Sequence, residues 1–322
     1  MLPSKLPRRF RQVIGILGLV SVLFGNSGVN ISSLIFFDFT VDPSGSTTNS
    51  FNVTRTYLDF RKAFAKDMSL RITSDVGRTE SDDRMILYLK HGYLTWNTTP
   101  GIIQIGVHPT NYFGPTKSTW GYRFIAKFPT DRVGFGTTAD LGISIQKEIL
   151  PRLLLHLAVY NGGGYKKSEN DSYKRTTLLL FYGEQTLNKK PGWNAGGAFS
   201  YEPYKAISST AKETKVTTTV FAGFALPNFR MGGEYTILNN SGNENKRLLA
   251  VYSSFSLTRS VSLLFRGDKY DHGGDQETYV IAGININPRP GFSLAPNIRY
   301  TLTEASKRES NFTFMLNFQF KF

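Results

Sequence analysis

Positive charge exceeds negative charge in one segment of the 322-residue sequence, residues 109–134, which has four cations and a single carboxylate. The five residues are Lys117, Arg123, Lys127, Asp131 and Arg132. Lysine and arginine beside a narrow passage attract anions and raise their local concentration. If this segment narrows a pore, we expect the five side chains to face the solute and anions to be preferred. The alternative is a solvated external loop with no part in permeation.

A second set of charges occupies the polar positions of segments whose residues alternate in polarity. Seven are basic and six are acidic, so this set is nearly neutral. They are Arg55, Arg71, Arg84, Lys90, Arg230, Arg266 and Arg299, with Asp38, Asp59, Asp75, Asp140, Glu234 and Asp268. We expect them to line the wall of a lumen. The spacing predicts pairs that brace the wall, namely Arg55 with Asp59, Arg71 with Asp75, and Arg266 with Asp268.

Catalytic chemistry finds little support in the sequence. There is no cysteine, and the four histidines show no metal-ligand spacing. They are His91, which falls on an apolar phase, and His108, His156 and His272. A Gly-x-Ser-x-Gly nucleophile motif is also missing. The lysines and arginines are dispersed rather than clustered with aromatic residues, which disfavours nucleic-acid binding. We therefore expect no enzyme activity, no metal, no cofactor and no nucleic-acid partner.

In the elements that must position these charges, apolar and polar residues alternate with a period of two. From Phe312 to Phe322 every even-numbered residue is apolar, and every odd-numbered one except Met315 is polar. In a strand these phases are opposite faces. The pattern recurs along the chain, with small, polar and charged residues on the second phase, which suits a water-filled lumen. A soluble sandwich also alternates, but its strands are usually about five or six residues long. The pattern predicts an all-β fold, a transmembrane antiparallel up-and-down β-barrel.

The number of strands follows from the connections between them. Short turns alternate with longer polar loops, and we count sixteen strands with both chain ends at one rim of the barrel. The count depends on residues 109–134, which we interpret as one long third loop. Aromatic residues alternate between Trp120 and Phe128, so this segment could contain strand. Barrels of fourteen or eighteen strands therefore remain possible.

The N-terminus has the pattern of a secretory signal peptide. Four basic residues precede the apolar run Val13–Phe24, and small residues follow it. This run is too short to span a bilayer, which needs about 20 residues. We predict a signal peptide at residues 1–27 and a single mature barrel domain at 28–322. Removing the four cations lowers the formal net charge from +14 to +10.

At this point the chain resembles a Gram-negative outer-membrane porin. Phe318, Phe320 and Phe322 resemble the C-terminal signature that the barrel-assembly machinery reads. The segment Asp140–Gly142, with the later Asn161–Tyr165, is similar to porins of the phosphate-selective type. The resemblance implies an outer-membrane homotrimer in contact with lipid, with sixteen strands and a third loop folded into the pore.

Three functions remain open. The first is passive diffusion of small polar or anionic solutes, the second a substrate-specific anion channel of the phosphate type, and the third a structural or adhesive barrel.

Overall fold

The computed structural model describes residues 28–43, 49–78, 85–169, 171–205, 212–304 and 308–322. The predicted signal peptide, residues 1–27, and the predicted lumen residue Arg84 lie outside these ranges.

The described residues form sixteen strands, and each pairs antiparallel with its neighbours in the chain. They are β1 (Asn30–Val41), β2 (Ser50–Ala63), β3 (Met68–Arg78), β4 (Met85–Asn97), β5 (Ile102–Pro109), β6 (Ala139–Leu150), β7 (Leu153–Tyr160), β8 (Arg175–Gly183), β9 (Gly192–Lys205), β10 (Lys212–Ala225), β11 (Phe229–Asn240), β12 (Lys246–Ser256), β13 (Val261–His272), β14 (Asp275–Arg289), β15 (Phe292–Glu304) and β16 (Arg308–Lys321). Pairing of β1 with β16 closes the barrel, with Leu34 opposite Lys321. Closure leaves no sheet edge unpaired, as a bilayer requires.

The predicted fold and the count of sixteen are confirmed, and the alternatives of fourteen and eighteen strands are wrong. The segment that left the count open is loop L3, residues 110–138, which joins β5 to β6 and contains helix instead of strand. It begins with a 3-10 helix, Asn111–Phe113, followed by helix α1, Gly114–Trp120, and by one helical turn, α2, Pro129–Arg132. No helix among the described residues is long and apolar enough to cross a membrane.

Side chains alternate between the two faces of the wall as the period of two predicts. In β10, Thr217, Thr219 and Phe221 are buried inside the barrel, whereas Val220 and Phe224 on the outer face are exposed. Large apolar side chains are exposed in the same way on the outer faces of most strands, and Leu87 reaches 71%. Such a belt is unfavourable in water and favourable against lipid.

A β-bulge in β4 breaks the alternation. Thr73 of β3 pairs with His91 and Ser74 pairs with Leu89, so Lys90 is the extra residue and both Lys90 and His91 point inward. The prediction that His91 lies on the apolar face was therefore wrong. A bulge adds one residue to one strand only, and period counting cannot register that shift.

The lumen is less uniformly polar than the sequence predicted. Loop L3 folds inside the barrel, and its apolar side chains pack against apolar residues on the inner faces of the strands from β8 to β15. From L3 these are Phe113, Trp120, Phe124, Ile125 and Phe128, and from the strands Leu179, Phe181, Phe221, Tyr252 and Ile281. Phe36 of β1 joins the same apolar cluster and contacts Phe124. The polar side chains of β1 to β4, by contrast, line a cavity that this packing leaves unfilled.

Candidate solute passage

Loop L3 has a compact conformation of its own. Helix α1 ends at Gly121, whose φ of 73° belongs to the left-handed region that glycine adopts without strain. The chain then turns back, and the indole Nε1 of Trp120 donates to the carbonyl of Ala126 at 3.0 Å. Trp120 is 1% exposed, so this hydrogen bond lies inside the apolar contact between loop and wall.

Charged side chains of the wall hold L3 through its backbone. Three guanidinium groups on β11, β13 and β15 donate to L3 carbonyls, and a carboxylate on β11 accepts from an L3 amide. The pairs are Arg230 with Trp120, Arg266 with Lys127, Arg299 with Ile125, and Glu234 with Thr130. Charge-assisted hydrogen bonds of this kind are stronger than neutral ones. These four predicted lumen residues therefore position the loop.

Arg132 is a charged side chain of L3 that binds the wall. Its Nε donates to Asp268 at 3.0 Å and its Nη1 donates to Glu277 at 2.6 Å. Asp268 also accepts from Arg266, as the spacing of that pair predicted. Arg132 thus belongs to an ion-pair network with two carboxylates of the wall.

The other two predicted ion pairs exchange partners. Arg55 binds Asp75 at 2.8 Å, and Arg71 binds Asp59 at 2.7 Å. Both are contacts between β2 and β3, so the predicted pairing within each strand was wrong. The β2–β3 register places Tyr57 opposite Asp75, which brings the two carboxylates nearer to arginines of the neighbouring strand.

Between L3 and the wall of β1 to β4 lies a cavity of about 490 Å³, which we call the basic cavity. Six cationic side chains line it, and Asp59 is the single carboxylate among its lining residues. The cations are Arg61, Arg71, Lys90, Lys117, Arg123 and Lys321. The cavity is therefore strongly positive, although the strand charges as a whole are nearly balanced.

Lys117 and Arg123 bring the charge of L3 to this cavity. No ion pair to Lys117 is formed by a described residue, whereas Arg123 lies 3.8 Å from Asp131 and over the ring of Tyr57. The Lys117 side chain is open to cavity water, yet protein surrounds it on most sides. This partial loss of hydration, with the nearby cations Arg123 and Arg71, lowers the pKa of Lys117 to about 8.

The remaining L3 charges lie elsewhere. Lys127 is exposed and does not line the basic cavity, and Arg132 is bound to the wall as described. Asp131 lies beside Arg123 and partly offsets its charge. Only two of the five residues singled out in 109–134 therefore line the basic cavity.

Two further lumen residues of the prediction have local roles in the structure. Asp140 accepts from the backbone amide of Gly162 at 3.0 Å and lies near Arg175, so it fixes the chain that follows β7. Lys90 donates to Tyr165 at 3.2 Å, next to Asp75. The Asp140 and Asn161–Tyr165 segments are thus brought together at the loop end of the lumen.

Arg61 and Lys321 were missed as cavity residues because they lie at the ends of their strands. Both were already on the polar phase: Arg61 follows Asp59 by two residues, and Lys321 follows Gln319 by two. Extending each polar phase to the strand end would have found them. Within the described ranges, no group of three His, Cys, Asp or Glu side chains has a metal-binding arrangement.

A closed sixteen-strand barrel with a loop folded into its lumen is the general porin fold. The sequence itself matches no protein-family profile and no curated protein. Among solved structures, the chain is similar to Salmonella typhi OmpF in complex with daunomycin, with a TM-score of 0.72 at 11% identity, over 91% of this chain and 97% of the other.

Two other similar structures share this fold at low identity. The anion-selective porin from Comamonas acidovorans has a TM-score of 0.66 at 9% identity, over 91% of this chain and 99% of that one. The outer-membrane channel DcaP of Acinetobacter baumannii has a TM-score of 0.65 at 15% identity, over 91% and 97%.

Proposed function

We propose that this protein is a passive diffusion channel of a Gram-negative outer membrane that admits small hydrophilic solutes and prefers anions. The observation that carries the proposal is the basic cavity, whose lining contains six cations and one carboxylate. Because L3 packs against the strands from β8 to β15, the water-accessible route lies along β1 to β4, where these cations are.

The physical basis is the field of the cations in a confined, water-filled space. Protein and lipid around the cavity have a low dielectric constant, so field lines concentrate in the water and raise the local anion concentration. Arg71 and Arg61 share Asp59, whereas Lys117 lacks an ion-pair partner among the described residues. The cavity therefore keeps a net positive charge after internal pairing is counted.

Proteins of similar structure support the proposed channel function and its location in an outer membrane. The similar structures include an anion-selective porin, an outer-membrane channel, and a trimer form of OmpT from Vibrio cholerae. On this basis we propose a homotrimer in outer-membrane lipid, with residues 1–27 as the signal peptide. Phe318, Phe320 and Phe322 would be read by the barrel-assembly machinery. A channel restricted to phosphate is the narrower form of this proposal, and saturation of the current by phosphate distinguishes it.

Liposome swelling tests the function. Purified protein in lipid vesicles should admit acetate, supplied as its potassium salt with valinomycin, faster than methylammonium, supplied as its thiocyanate, once the rates of protein-free vesicles are subtracted. Each counter-ion then crosses the lipid itself, so charge stays balanced and the solute ion limits the rate. Neutralising two cavity cations together, Arg71→Gln with Arg123→Gln, should reduce the difference, because Asp59 remains in the lining. Equal rates in the unmodified protein would refute the anion preference, and no swelling with any solute would refute the channel.

A further inference from the structure

A second cavity of about 300 Å³ adjoins the basic cavity along helix α1, and we call it the amide pocket. Its walls come from α1, from β5 to β8 and from the turn after β8. Lys117 and Ser118 line both cavities, so the two spaces meet at the same edge of the helix.

The amide pocket differs from the basic cavity in its chemistry. Four carboxamides, those of Gln104, Gln146, Gln185 and Asn111, line it, and Lys117 is its single charged lining residue. The Asn111 carboxamide already has partners, since its Nδ2 donates to the carbonyl of His156 and its Oδ1 accepts from Thr177. The pairing of β6 with β7 places Gln146 directly opposite His156. Gln104 pairs with Ser144, two residues from Gln146, so it is the diagonal neighbour on the same face. Gln104, Gln146 and His156 thus form a row of polar groups across three strands.

The polar groups of this row are available to a solute. No hydrogen bond links the carboxamide of Gln104, Gln146 or Gln185 to a described residue. The Nε2 atom of His156 is also buried without a partner. Buried polar atoms in a folded protein usually have a partner, so an unpaired one that lines a cavity indicates a bound molecule or water.

From this arrangement we infer that the channel takes hydroxylated organic anions, such as sugar acids, and binds them in the amide pocket and at Lys117, where this pocket meets the basic cavity. The inference rests on the proposed function and specifies its solute. Carboxamides donate and accept, as hydroxyl groups do, and Lys117 supplies a positive charge beside them. A halide or a bare carboxylate would use the cations and leave the carboxamides unpaired. A polyhydroxylated chain uses both, with its carboxylate at Lys117 and its hydroxyl groups in the amide pocket.

Single-channel recording in KCl tests the inference with three probes: gluconate, acetate and glucose. Gluconate should interrupt the chloride current with an apparent affinity at least about tenfold above that of acetate, roughly the factor that one or two ordinary hydrogen bonds supply. Glucose should bind more weakly than gluconate, because it lacks the charge that Lys117 recognises. Equal affinities for gluconate and acetate would overturn the inference, and tighter binding of glucose would overturn the role of Lys117.

Paired variants locate the binding. Gln104→Leu with Gln146→Leu should remove the advantage of gluconate over acetate, and Gln185→Leu in the exposed turn provides the same test if the double variant fails to assemble. Gln319→Leu is the matched control, since Gln319 lines the basic cavity but not the amide pocket. A retained gluconate advantage in the pocket variants would overturn the inference.

The reversal potential in a KCl gradient separates the two proposals. It should be unchanged in the glutamine variants, because their net charge is unchanged. If the unmodified protein shows no anion preference, the proposed function itself fails. If anions are preferred but gluconate has no advantage over acetate, only the present inference fails.

Discussion

At the scale of single residues, the proposed anion selectivity depends on cations that are not neutralised by an ion-pair partner. Lys117 should contribute more to anion selectivity than its position in a long loop suggests. It lines both cavities and has no ion-pair partner among the described residues. Lys117→Gln should lower the anion-to-cation permeability ratio about twofold to threefold, as expected for one charge acting across several ångströms of water. Lys127→Gln is the control, because Lys127 is exposed outside the cavity. Equal effects of the two substitutions would contradict this assignment.

The anion preference should depend on pH, because Lys117 titrates. Its pKa is lowered to about 8, so the side chain is charged at pH 6.5 and mostly neutral at pH 9.5. The groups that act on it are Arg71, Arg123 and Asp131. Anion preference should therefore fall as the pH rises through about 8, and reversal potentials at a series of pH values measure the change. A Lys117→Arg channel should lose this dependence, since arginine stays protonated in this range. A pH profile that is the same in both channels would contradict the prediction.

Part of the residue-level site was predictable from sequence. Lys117 and Arg123 were found because they occur in a cation-rich loop, and such a loop can be recognised from its composition alone. The roles of Arg230 and Arg299 were not predictable, because they depend on which carbonyls of L3 reach the wall, and that is set by the fold of the loop. The exchange of partners between Arg55 and Arg71 depends on strand register, which the alternation of residues within one strand does not encode.

At the scale of elements, L3 is held in the lumen by buried charge as well as by apolar packing. Arg266 is 0% exposed and donates to Asp268 and to the carbonyl of Lys127. Arg266→Met should weaken the attachment by about 3 kcal/mol, the lower end of the cost of breaking a buried ion pair, because Asp268 keeps Arg132. Single-channel recordings should then show frequent fluctuations of the open current. Arg289→Met, in an exposed position near a turn, should leave the current quiet. A quiet Arg266→Met channel would mean that packing alone holds the loop.

The strands were predictable from sequence and the interior of L3 was not. In long, regularly alternating segments such as β10 and β16, the sequence itself shows which residues lie on each face of the strand. Helix α1 has seven residues and α2 has four, which is too short for a helical period to appear. The aromatic residues from Trp120 to Phe128, most of which lie between the two helices, also alternate by chance in a way that resembles a strand. These helices are stable because the barrel wall supplies the apolar surface against which they pack.

At the scale of the whole molecule, the C-terminal strand closes the barrel and presents aromatic side chains outward. Phe320 and Phe322 are 41% and 75% exposed. If they are the assembly signature, deleting Phe322 should reduce the fraction of heat-modifiable barrel in membranes several-fold. Phe312→Ser is the control, because Phe312 lies on the same outer face of β16 but far from the chain end. Equal losses in the two variants would contradict a specific role for the terminus.

The net charge is also a property of the whole molecule, and its distribution can now be described. The strand charges are nearly balanced and serve mainly to pair with one another and to hold L3. In the proposed function, the excess that bears on transport is the group of cations in the basic cavity, which was visible in the sequence only in part. The central claim is therefore that this cavity is the route of permeation and that its charge selects anions.

The reversal potential of the reconstituted channel in a KCl gradient tests this claim most directly. The unmodified protein should give the sign of chloride preference. A variant that combines Lys117→Gln, Arg71→Gln and Arg123→Gln should shift the potential toward zero or to the opposite sign. Cation preference in the unmodified channel, or an unchanged potential in the triple variant, would contradict the account.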